Sequence, residues 1–249
     1  MSPRLTGYLR PQSAAHRDAT TKQPRLYGSL GAAGLLQFPF PFAANLVAYW
    51  RMEDNGNDAL GVFNAEAVGS VAYAAGKNNK ALSLAGAGYL NAGISQQLNP
   101  AEMTVNLWIN YMGSYTYKAA AGRWPGSNNS WAINAHDFAA GKPGIWLATT
   151  DNANVNVAAT RAINDGAWHM LTMTHNQTAA RLYVDGGAEI VSVAAAVRSN
   201  PAGSATTIGS TAGTSGRIIA DIDEVAILNR ALSPAEIVQL YNAGAGIFY

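Results

Sequence analysis

Three acidic side chains interrupt the apolar run IIADIDEVAIL near the end of the chain. Asp221 and Asp223 occupy alternate positions of a predicted strand, and Glu224 follows directly. Carboxylates in such a place can ligate a metal ion, serve as a catalytic pair, or accept hydrogen bonds inside a sandwich. Asp223 shares its parity with Val225 and Ile227, so we predict that it points inward, where a carboxylate needs a partner.

Catalysis by paired carboxylates makes a specific demand on the sequence. Glycoside hydrolysis needs two carboxyl groups that face each other across a cleft, roughly 5–10 Å apart. Asp221 and Asp223 lie on one strand face, but no second carboxylate pair stands out. The sequence has no G-x-S-x-G nucleophile motif and no cysteine, which excludes thiolate chemistry. We therefore predict that the protein is not an enzyme, with glycosidase activity as an alternative.

Aromatic residues in the segment YMGSYTYKAAAGRWPGSNNSW indicate ligand binding instead. Aromatic faces stack on sugar rings, while amide and hydroxyl groups hydrogen-bond to sugar hydroxyls. Four of these residues are our candidate glycan ligands: Tyr115, Tyr117, Trp124 and Trp131. The alternative is that these side chains form core or interface packing, because charge-poor aromatic surfaces also suit protein–protein contacts.

The elements that would position these residues are short strands. The segments MTVNLWINYM, GAWHMLTMTHN and ARLYVDGGAEIVSV alternate with a period of two, and ATTIGS and ADIDEVAIL add two more strands. We read MTVNLWINYM as a half-buried strand. Asp185 and Gly186 form a hairpin signal, and clusters of Gly, Asn and Ser separate the strands. Many short strands of this kind predict a sandwich or jelly roll.

A short helix follows the last strand. Ser233 can cap it, Pro234 suits the first helical position, and Glu236 can complete a capping box. One face then carries apolar side chains, namely Ile237, Leu240 and Tyr241. Gly244 can end the helix with a positive φ. We predict that this helix joins the last strand to the sandwich.

Residues 1–45 differ from residues 46–249 in charge and composition. The first region holds five basic residues and one acidic residue, which gives +4, whereas the second holds 11 basic and 14 acidic residues, which gives −3. The first region also has five prolines and no helical or strand period. Alone, it cannot bury enough apolar surface to offset its chain entropy. We predict an extended N-terminal arm over 1–45 and a jelly-roll domain over 46–249.

The arm carries residues suited to docking on neighbouring subunits. Phe38, Phe40 and Phe42 alternate with prolines in LQFPFPFAA, which stiffens an extended conformation. Arg4 and Arg10 belong to the basic stretch ahead of it. We predict that these five residues form an assembly contact. The alternative is that the segment packs across the edge of its own domain.

Composition excludes several classes of partner. A net charge of +1 argues against a dedicated nucleic-acid surface. No apolar run reaches the roughly 18 residues that span a bilayer. The N-terminal sequence lacks the charged-then-apolar order of a secretory signal. We therefore expect no nucleic acid partner, no membrane insertion and synthesis in a cytoplasm.

Four segments, in order, resemble the concanavalin A-like lectin/glucanase superfamily, specifically its laminin-G-like jelly-roll domains. They are LVAYWRMEDNGNDALG, GKNNKALSLAGAGYLNAG, DGAWHMLTMTHNQTAARLYVDGG and IDEVAILNRALSPAEIVQLYNAG, and they span roughly residues 46–243. The resemblance implies an all-β, two-sheet antiparallel jelly-roll sandwich. It also implies a module that binds carbohydrate or protein, often with one calcium ion. Fold alone does not settle function.

The resemblance also assigns candidate calcium ligands. Asp58 matches the aspartate of the acidic loop, and Asp223 matches the aspartate of the closing IDEV strand. The loop EDNGNDALG offers the oxygen ligands that calcium prefers. The alternative is that Asp223 accepts backbone hydrogen bonds and the loop is only a turn. His169 occupies the family's WH position, where we expect a packed, hydrogen-bonded strand residue and not a base.

Taken with the low charge and the Ala/Gly-rich composition, these features favour a non-catalytic structural protein of a large assembly. We predict a phage virion component, such as a capsid decoration protein, tail or fibre. Its arm would contact other subunits, which gains interface area without a large core, and its jelly roll would bind cell-surface glycans. The alternative is a carbohydrate-binding or adhesion module at the cell surface or outside the cell.

Overall fold

The chain divides into two compact units, Met1–Phe38 and Pro39–Tyr249. The computed structural model describes residues 29–30, 36–37, 40–114, 117–126, 129–136, 141–150, 153–187, 191–194, 203–211 and 216–249. In the first unit the described residues form an antiparallel pair, β1 (Ser29–Leu30) and β2 (Leu36–Gln37). Within all these ranges, no helix is long and apolar enough to cross a membrane.

The second unit is a sandwich of two antiparallel sheets. Its strands are β3 (Leu46–Trp50), β4 (Glu66–Gly69), β5 (Ala72–Ala75), β6 (Lys80–Ala85), β7 (Gly88–Asn91), β8 (Glu102–Asn110), β9 (Lys118–Gly122), β10 (Trp131–His136), β11 (Gly144–Ala148), β12 (Asn154–Ala158), β13 (Trp168–Asn176), β14 (Ala179–Val184), β15 (Val191–Ala194), β16 (Thr207–Ile208) and β17 (Ile219–Leu228). The seven-stranded sheet has the order β12-β11-β10-β9-β16-β7-β4. The eight-stranded sheet has the order β15-β14-β13-β8-β17-β6-β5, with β3 also paired to β17. The predicted two-sheet jelly-roll sandwich is confirmed.

β17 lies inside the eight-stranded sheet and changes its neighbour half-way along. It pairs with β6 up to Ile222 and with β3 from Val225 onward, while β8 runs along its other side. The register shifts between these halves, and Glu224 has a φ of 51°. This irregularity is a β-bulge, which inserts a residue and breaks the period of two.

The bulge decides which way the acidic residues point. Val225 and Ile227 belong to the core between the sheets, whereas Asp223 lies opposite Trp108, on the other face of the eight-stranded sheet. The predicted shared parity of Asp223 with Val225 and Ile227 is therefore wrong. Asp223 is nevertheless fully buried.

Two buried clusters cover the two faces of the eight-stranded sheet. The first lies between the sheets and contains Val105, Leu107 and Ile109 of β8. The second contains Trp108 of β8, together with apolar side chains of the C-terminal helix. Tyr241 stacks on Trp108 at a ring-centroid distance of 5.8 Å. β8 is thus buried on both faces, not half-buried as predicted from its alternation.

Phe40 and Phe42 are buried in the second cluster. The Phe40 ring lies 5.6 Å from the Tyr49 ring and 6.2 Å from the Tyr249 ring, and the Arg230 guanidinium lies 5.4 Å from the Phe42 ring. The prediction that Phe40 and Phe42 dock on neighbouring subunits is therefore wrong, because both rings pack against their own domain. For the same reason the compact unit begins at Pro39 and not at residue 46.

The predicted helix is α1 (Pro234–Tyr241). Ser233 caps it, and the capping box is complete, since the backbone N–H of Ser233 donates to the Glu236 carboxylate at 2.8 Å. The buried side chains of α1 are Ile237 and Leu240. The left-handed residue that ends the helix is Asn242, with a φ of 48°, and not the predicted Gly244.

The turn between β14 and β15 confirms the predicted hairpin, because Asp185 and Gly186 both have positive φ, at 55° and 62°. The Asp185 carboxylate lies 2.8 Å from Nδ1 of His169 and accepts a bond from the Met170 N–H at 2.9 Å. Asp165 lies 3.0 Å from Nε2 of the same ring. His169 is therefore the packed, hydrogen-bonded residue that we expected. The bond to Asp185 raises the pKa of His169.

Candidate functional site

Three aromatic side chains meet on the outward face of the seven-stranded sheet. Trp146 lies in β11 between Ile145 and Leu147, which both point into the core, so Trp146 points outward. The Tyr117 ring centroid lies 5.3 Å from that of Trp146, and the Trp124 centroid lies 5.4 Å from it. We call Tyr117, Trp124 and Trp146 the aromatic cluster.

Small residues surround the aromatic cluster on the sheet. The cross-strand neighbours of Trp146 are Ala132 and Asn156, and Gly122 lies opposite Ala132 on the next strand. A Cβ atom on Gly122 would lie only 2.8 Å from the Cβ of Ala132, so this position needs glycine. Tyr117 is 43% exposed. The rings therefore stand beside a flat floor and form a platform for the face of a ligand.

Two asparagines supply hydrogen-bonding groups on the same face. Asn156 is exposed and lies directly opposite Trp146. Asn134 lies two positions from Ala132 along β10, opposite Gly144, and is fully buried. Neither amide atom of Asn134 has a partner within the part of the chain that the structure describes. Because buried polar groups are normally paired, Asn134 is a candidate for bonding a ligand hydroxyl.

A cleft of about 590 Å³ opens at the start of β9. Its lining includes the exposed apolar side chains of Met112 and Ile219 and the basic side chains of Lys118 and Arg217. Lys118 directly follows Tyr117 in the chain, but Tyr117, Trp124 and Trp146 are not among the residues that line the cleft. The volume is typical of small-ligand sites. Two cations beside apolar surface suit a sugar that carries a carboxylate.

The four residues predicted to bind a glycan lie in different places. Tyr117 and Trp124 lie together in the aromatic cluster. Trp131 is fully buried in the core between the sheets, so its assignment to a glycan surface is corrected. Tyr115 lies outside the described residues. Trp146 was missed, although its place between two inward apolar residues of GIWLA signals an outward tryptophan.

Asp58 accepts four backbone hydrogen bonds. Its Oδ1 accepts from the N–H groups of Tyr49 at 2.9 Å and Leu60 at 3.1 Å. Its Oδ2 accepts from Val62 at 3.1 Å and Phe63 at 3.0 Å. The residue is only 4% exposed. Asp58 thus holds its loop against β3 as a hydrogen-bonded turn.

Asp223 and Glu224 lie at the point where β17 stops pairing with β6 and starts pairing with β3. Asp223 accepts bonds from the N–H groups of Asn78 at 3.0 Å and Glu224 at 2.8 Å. The Asn78 side-chain amide donates to Glu224 Oε1 at 2.8 Å. A Cβ on Gly76 would lie 2.6 Å from the Asp223 carboxylate, so the turn before β6 must approach closely. The acidic residues join this turn to β17.

Both carboxyl groups are held in a poorly solvated place. Burial raises the pKa of Asp223 to about 8 and that of Glu224 to about 7. Repulsion from Glu224 adds to the rise at Asp223. Glu224 Oε2 has no hydrogen-bond partner among the described residues. At Glu224 this effect of burial on the pKa outweighs the opposing effects of hydrogen bonds from Tyr49 and Asn78 and of the positive charge of Arg51.

These contacts do not fit a calcium ion shared by Asp58 and Asp223. All four carboxylate oxygens are turned toward backbone N–H groups. Across the ranges that the structure describes, no group of three or more Asp, Glu or His side chains is placed to hold a metal. The geometry supports the alternative in which both carboxylates act as hydrogen-bond acceptors. Calcium binding stays a prediction, which melting temperatures can test.

Comparison with known sequences places the chain in a family. A model of the concanavalin A-like lectin/glucanases superfamily matches residues 84–238, which is more than half of the chain. The matched span includes the aromatic cluster and the Asp223–Glu224 bulge. No curated protein matches the chain by sequence.

Solved structures show the same fold. Domain 4 of AbnA, a GH43 extracellular arabinanase from Geobacillus stearothermophilus in complex with arabinotriose, gives a TM-score of 0.65 at 19% identity, over 78% of this chain and 97% of that one. The binding domain of Paraclostridial Mosquitocidal Protein 1 gives 0.62 at 18%, over 81% and 52%. A structure concerning botulinum neurotoxin type C, whose cell entry depends on interaction with two ganglioside molecules, gives 0.59 at 14%, over 81% and 52%. The chain spans about half the length of these two toxin structures.

Proposed function

Because this chain belongs to the concanavalin A-like lectin/glucanase superfamily, we propose that it is a non-catalytic carbohydrate-binding module. The observation that carries the proposal is the aromatic cluster on the outward face of the seven-stranded sheet, with Asn134 and Asn156 on the same face. Aromatic faces pack against the C–H faces of sugar rings, and amides bond to their hydroxyls. One surface therefore offers both kinds of contact.

The similar structures support carbohydrate as the ligand class. The AbnA domain was solved with arabinotriose, and entry of botulinum neurotoxin type C depends on gangliosides. The cleft extends the proposal to acidic sugars as a second contact region, because Lys118 and Arg217 line it.

The placement of the carboxylates supports a non-catalytic module. Asp221 and Asp223 share a strand face, as predicted, since they lie opposite Asn110 and Trp108 of β8. Asp223 is fully buried, and both of its oxygens accept backbone bonds. A glycosidase needs two carboxyl groups that reach the substrate from either side of a cleft. This pair is not arranged in that way.

Replacing the central ring of the aromatic cluster tests the site. We expect Trp146→Ala to weaken binding of a glycan by about fivefold or more, because stacking is worth roughly 1 kcal/mol and the floor loses its central surface. A glycan array that includes neutral, uronic acid and sialic acid sugars selects the ligand. Affinities of the wild type and the variant are then compared on the selected glycan.

Val238→Ala is the matched control, because this residue is 55% exposed on α1, away from the seven-stranded sheet. It should bind like the wild type. Equal affinity of Trp146→Ala and the wild type would reject the site, and release of reducing sugar ends from the selected glycan would reject the non-catalytic part of the proposal.

A narrower proposal concerns assembly. We retain the prediction that the protein is a structural component of a large assembly, specifically a phage virion, and we narrow the predicted contact with other subunits from residues 1–45 to residues 1–38. Arg4, Arg10 and Phe38 lie outside the described residues. The support is therefore the composition of the segment and its separation as a unit of its own.

Sedimentation of the full chain beside a chain that starts at Pro39 tests the assembly proposal. We expect the full chain to self-associate at micromolar concentration and the shorter chain to stay monomeric. Monomers in both samples, together with a protease-resistant N-terminal segment, would contradict the proposal, because an arm that needs no neighbour must be held by its own domain.

A further inference from the structure

Arg123 is a buried cation at the end of β9. Among the described residues it is the only arginine or lysine that is fully buried. Its backbone N–H donates to the Trp131 carbonyl at 2.7 Å, and its carbonyl accepts from the Ser130 N–H at 3.0 Å. These bonds continue the pairing of β9 with β10, so Arg123 lies opposite Ser130 and Trp131, and Trp131 belongs to the core between the sheets.

One end of the guanidinium is held in place. Nη1 of Arg123 donates to the Ser95 carbonyl and to Oγ1 of Thr206, both at 2.9 Å. No carboxylate contributes to its electrostatic surroundings, and burial alone lowers the pKa of Arg123 to about 10. The side chain therefore stays positively charged at neutral pH, without a counter-charge from the described residues.

Several donors around Arg123 have no acceptor. Nε and Nη2 of Arg123, Nε1 of Trp131 and Nδ2 of Asn99 are buried and unpaired within the ranges that the structure describes. Asn99 belongs to the same cluster, because the Ser130 hydroxyl donates to its side-chain oxygen at 3.2 Å. The cluster thus contains four unpaired N–H donor groups and one positive charge.

Donors without acceptors favour an anion over water. A water molecule that accepts two hydrogen bonds still has two hydrogens that need acceptors of their own. None of the unpaired side-chain atoms of this cluster is an acceptor. An anion accepts from every donor and also neutralises the buried guanidinium, whose isolated charge is costly.

We propose that Arg123, Trp131 and Asn99 hold a buried monovalent anion the size of chloride. Because all four donor groups are buried, a small halide suits the site better than the carboxylate of a glycan chain. It is independent of the aromatic cluster. The anion would stabilise the end of the sandwich where β9, β10 and the 3-10 turn Gln96–Leu98 meet.

Thermal unfolding at constant ionic strength tests the site. Chloride is exchanged for gluconate, which is too large to enter. We expect the melting temperature of the wild type to rise by about 3–5 °C for each tenfold increase in chloride above its dissociation constant. Arg123→Met should lose this dependence. Lys80→Met, which removes an exposed cation of β6, should keep it.

Crystals of the wild type soaked in bromide give a second readout that does not depend on a folded variant. An anomalous peak within hydrogen-bonding distance of Arg123 Nε or Nη2 would support the proposal. Equal melting temperatures of the wild type in chloride and gluconate, or a bromide soak with no peak at Arg123, would overturn it. Retention of the chloride dependence by Arg123→Met would do the same.

Discussion

Replacement of Asp58 by alanine is expected to lower the free energy of unfolding by about 4 kcal/mol, with a fall in melting temperature of about 10 °C. The carboxylate accepts bonds from four backbone N–H groups and is 4% exposed. Each buried donor that loses its acceptor costs roughly 1–3 kcal/mol, and solvent entering the loop recovers part of that. Such a loss is a large share of the stability of an ordinary domain.

Two further variants make the Asp58 measurement specific. Asp58→Asn should be almost as destabilising, because an amide nitrogen would face two N–H donors. Asp54→Asn removes a neighbouring charge whose side chain is 68% exposed and keeps a residue type that tolerates the φ of 59° at this position, so it should be close to neutral. A small effect of Asp58→Ala in chemical denaturation would contradict the role given to these four bonds.

Glu224→Gln is expected to stabilise the protein at alkaline pH. The pKa of Glu224 is raised to about 7 from an ordinary 4.5, chiefly by burial, so the folded state binds this proton more tightly than the unfolded state. The stability from this group is fully present below about pH 4.5 and is lost as the pH rises through about 7. The loss amounts to about 3 kcal/mol. Glutamine mimics the protonated glutamate side chain, so Glu224→Gln should not show this loss of stability.

Melting curves from pH 4 to pH 9 check this expectation. The wild type should lose several degrees more than Glu224→Gln over this range, and both proteins should decline further toward pH 9 because the pKa of Asp223 is raised to about 8. Parallel curves for the two proteins would contradict the raised pKa of Glu224.

The same curves, recorded in a chelator and in millimolar calcium, test the calcium prediction. A calcium ion shared by Asp58 and Asp223 predicts a higher melting temperature in calcium, whereas the backbone donors that occupy both carboxylates predict equal melting temperatures in the two buffers. A calcium-dependent rise in the wild type that Glu224→Gln lacks would place a cation at the bulge instead.

Local signals were sufficient for most of the elements in the second half of the chain. β8 and β13 alternate over their whole length, and the capping box of α1 depends on residues only three positions apart. Such short-range patterns can be recognised in the sequence, because each depends only on the local geometry of one strand or one helix end. Burial of both faces of β8 could not be predicted, since it depends on a helix more than a hundred residues away in the chain.

The orientation of the acidic residues in β17 could not be predicted from the sequence because of the bulge. Counting alternate positions from Val225 places Asp223 inward, but a single left-handed residue, Glu224, reverses the parity. The bulge lies where β17 changes its neighbour from β6 to β3. This is a property of the sheet, and no local pattern encodes it.

The candidate site could be predicted only in part for a similar reason. Tyr117 and Trp124 were found from their residue type and spacing. Trp131 lies in the same aromatic-rich segment as Tyr117 and Trp124, but its side chain faces the core. Trp146 lies outside that segment, in β11, which pairs with β10. Which aromatic residues share a face is determined by strand pairing, and pairing is a long-range property.

The most direct test of the carbohydrate-binding proposal is a crystal structure of the protein with an oligosaccharide chosen by the glycan array. We expect one sugar ring within stacking distance of Trp146, with hydroxyl contacts to Asn134 or Asn156. A sugar bound elsewhere on the domain, with Trp146 untouched, would contradict it.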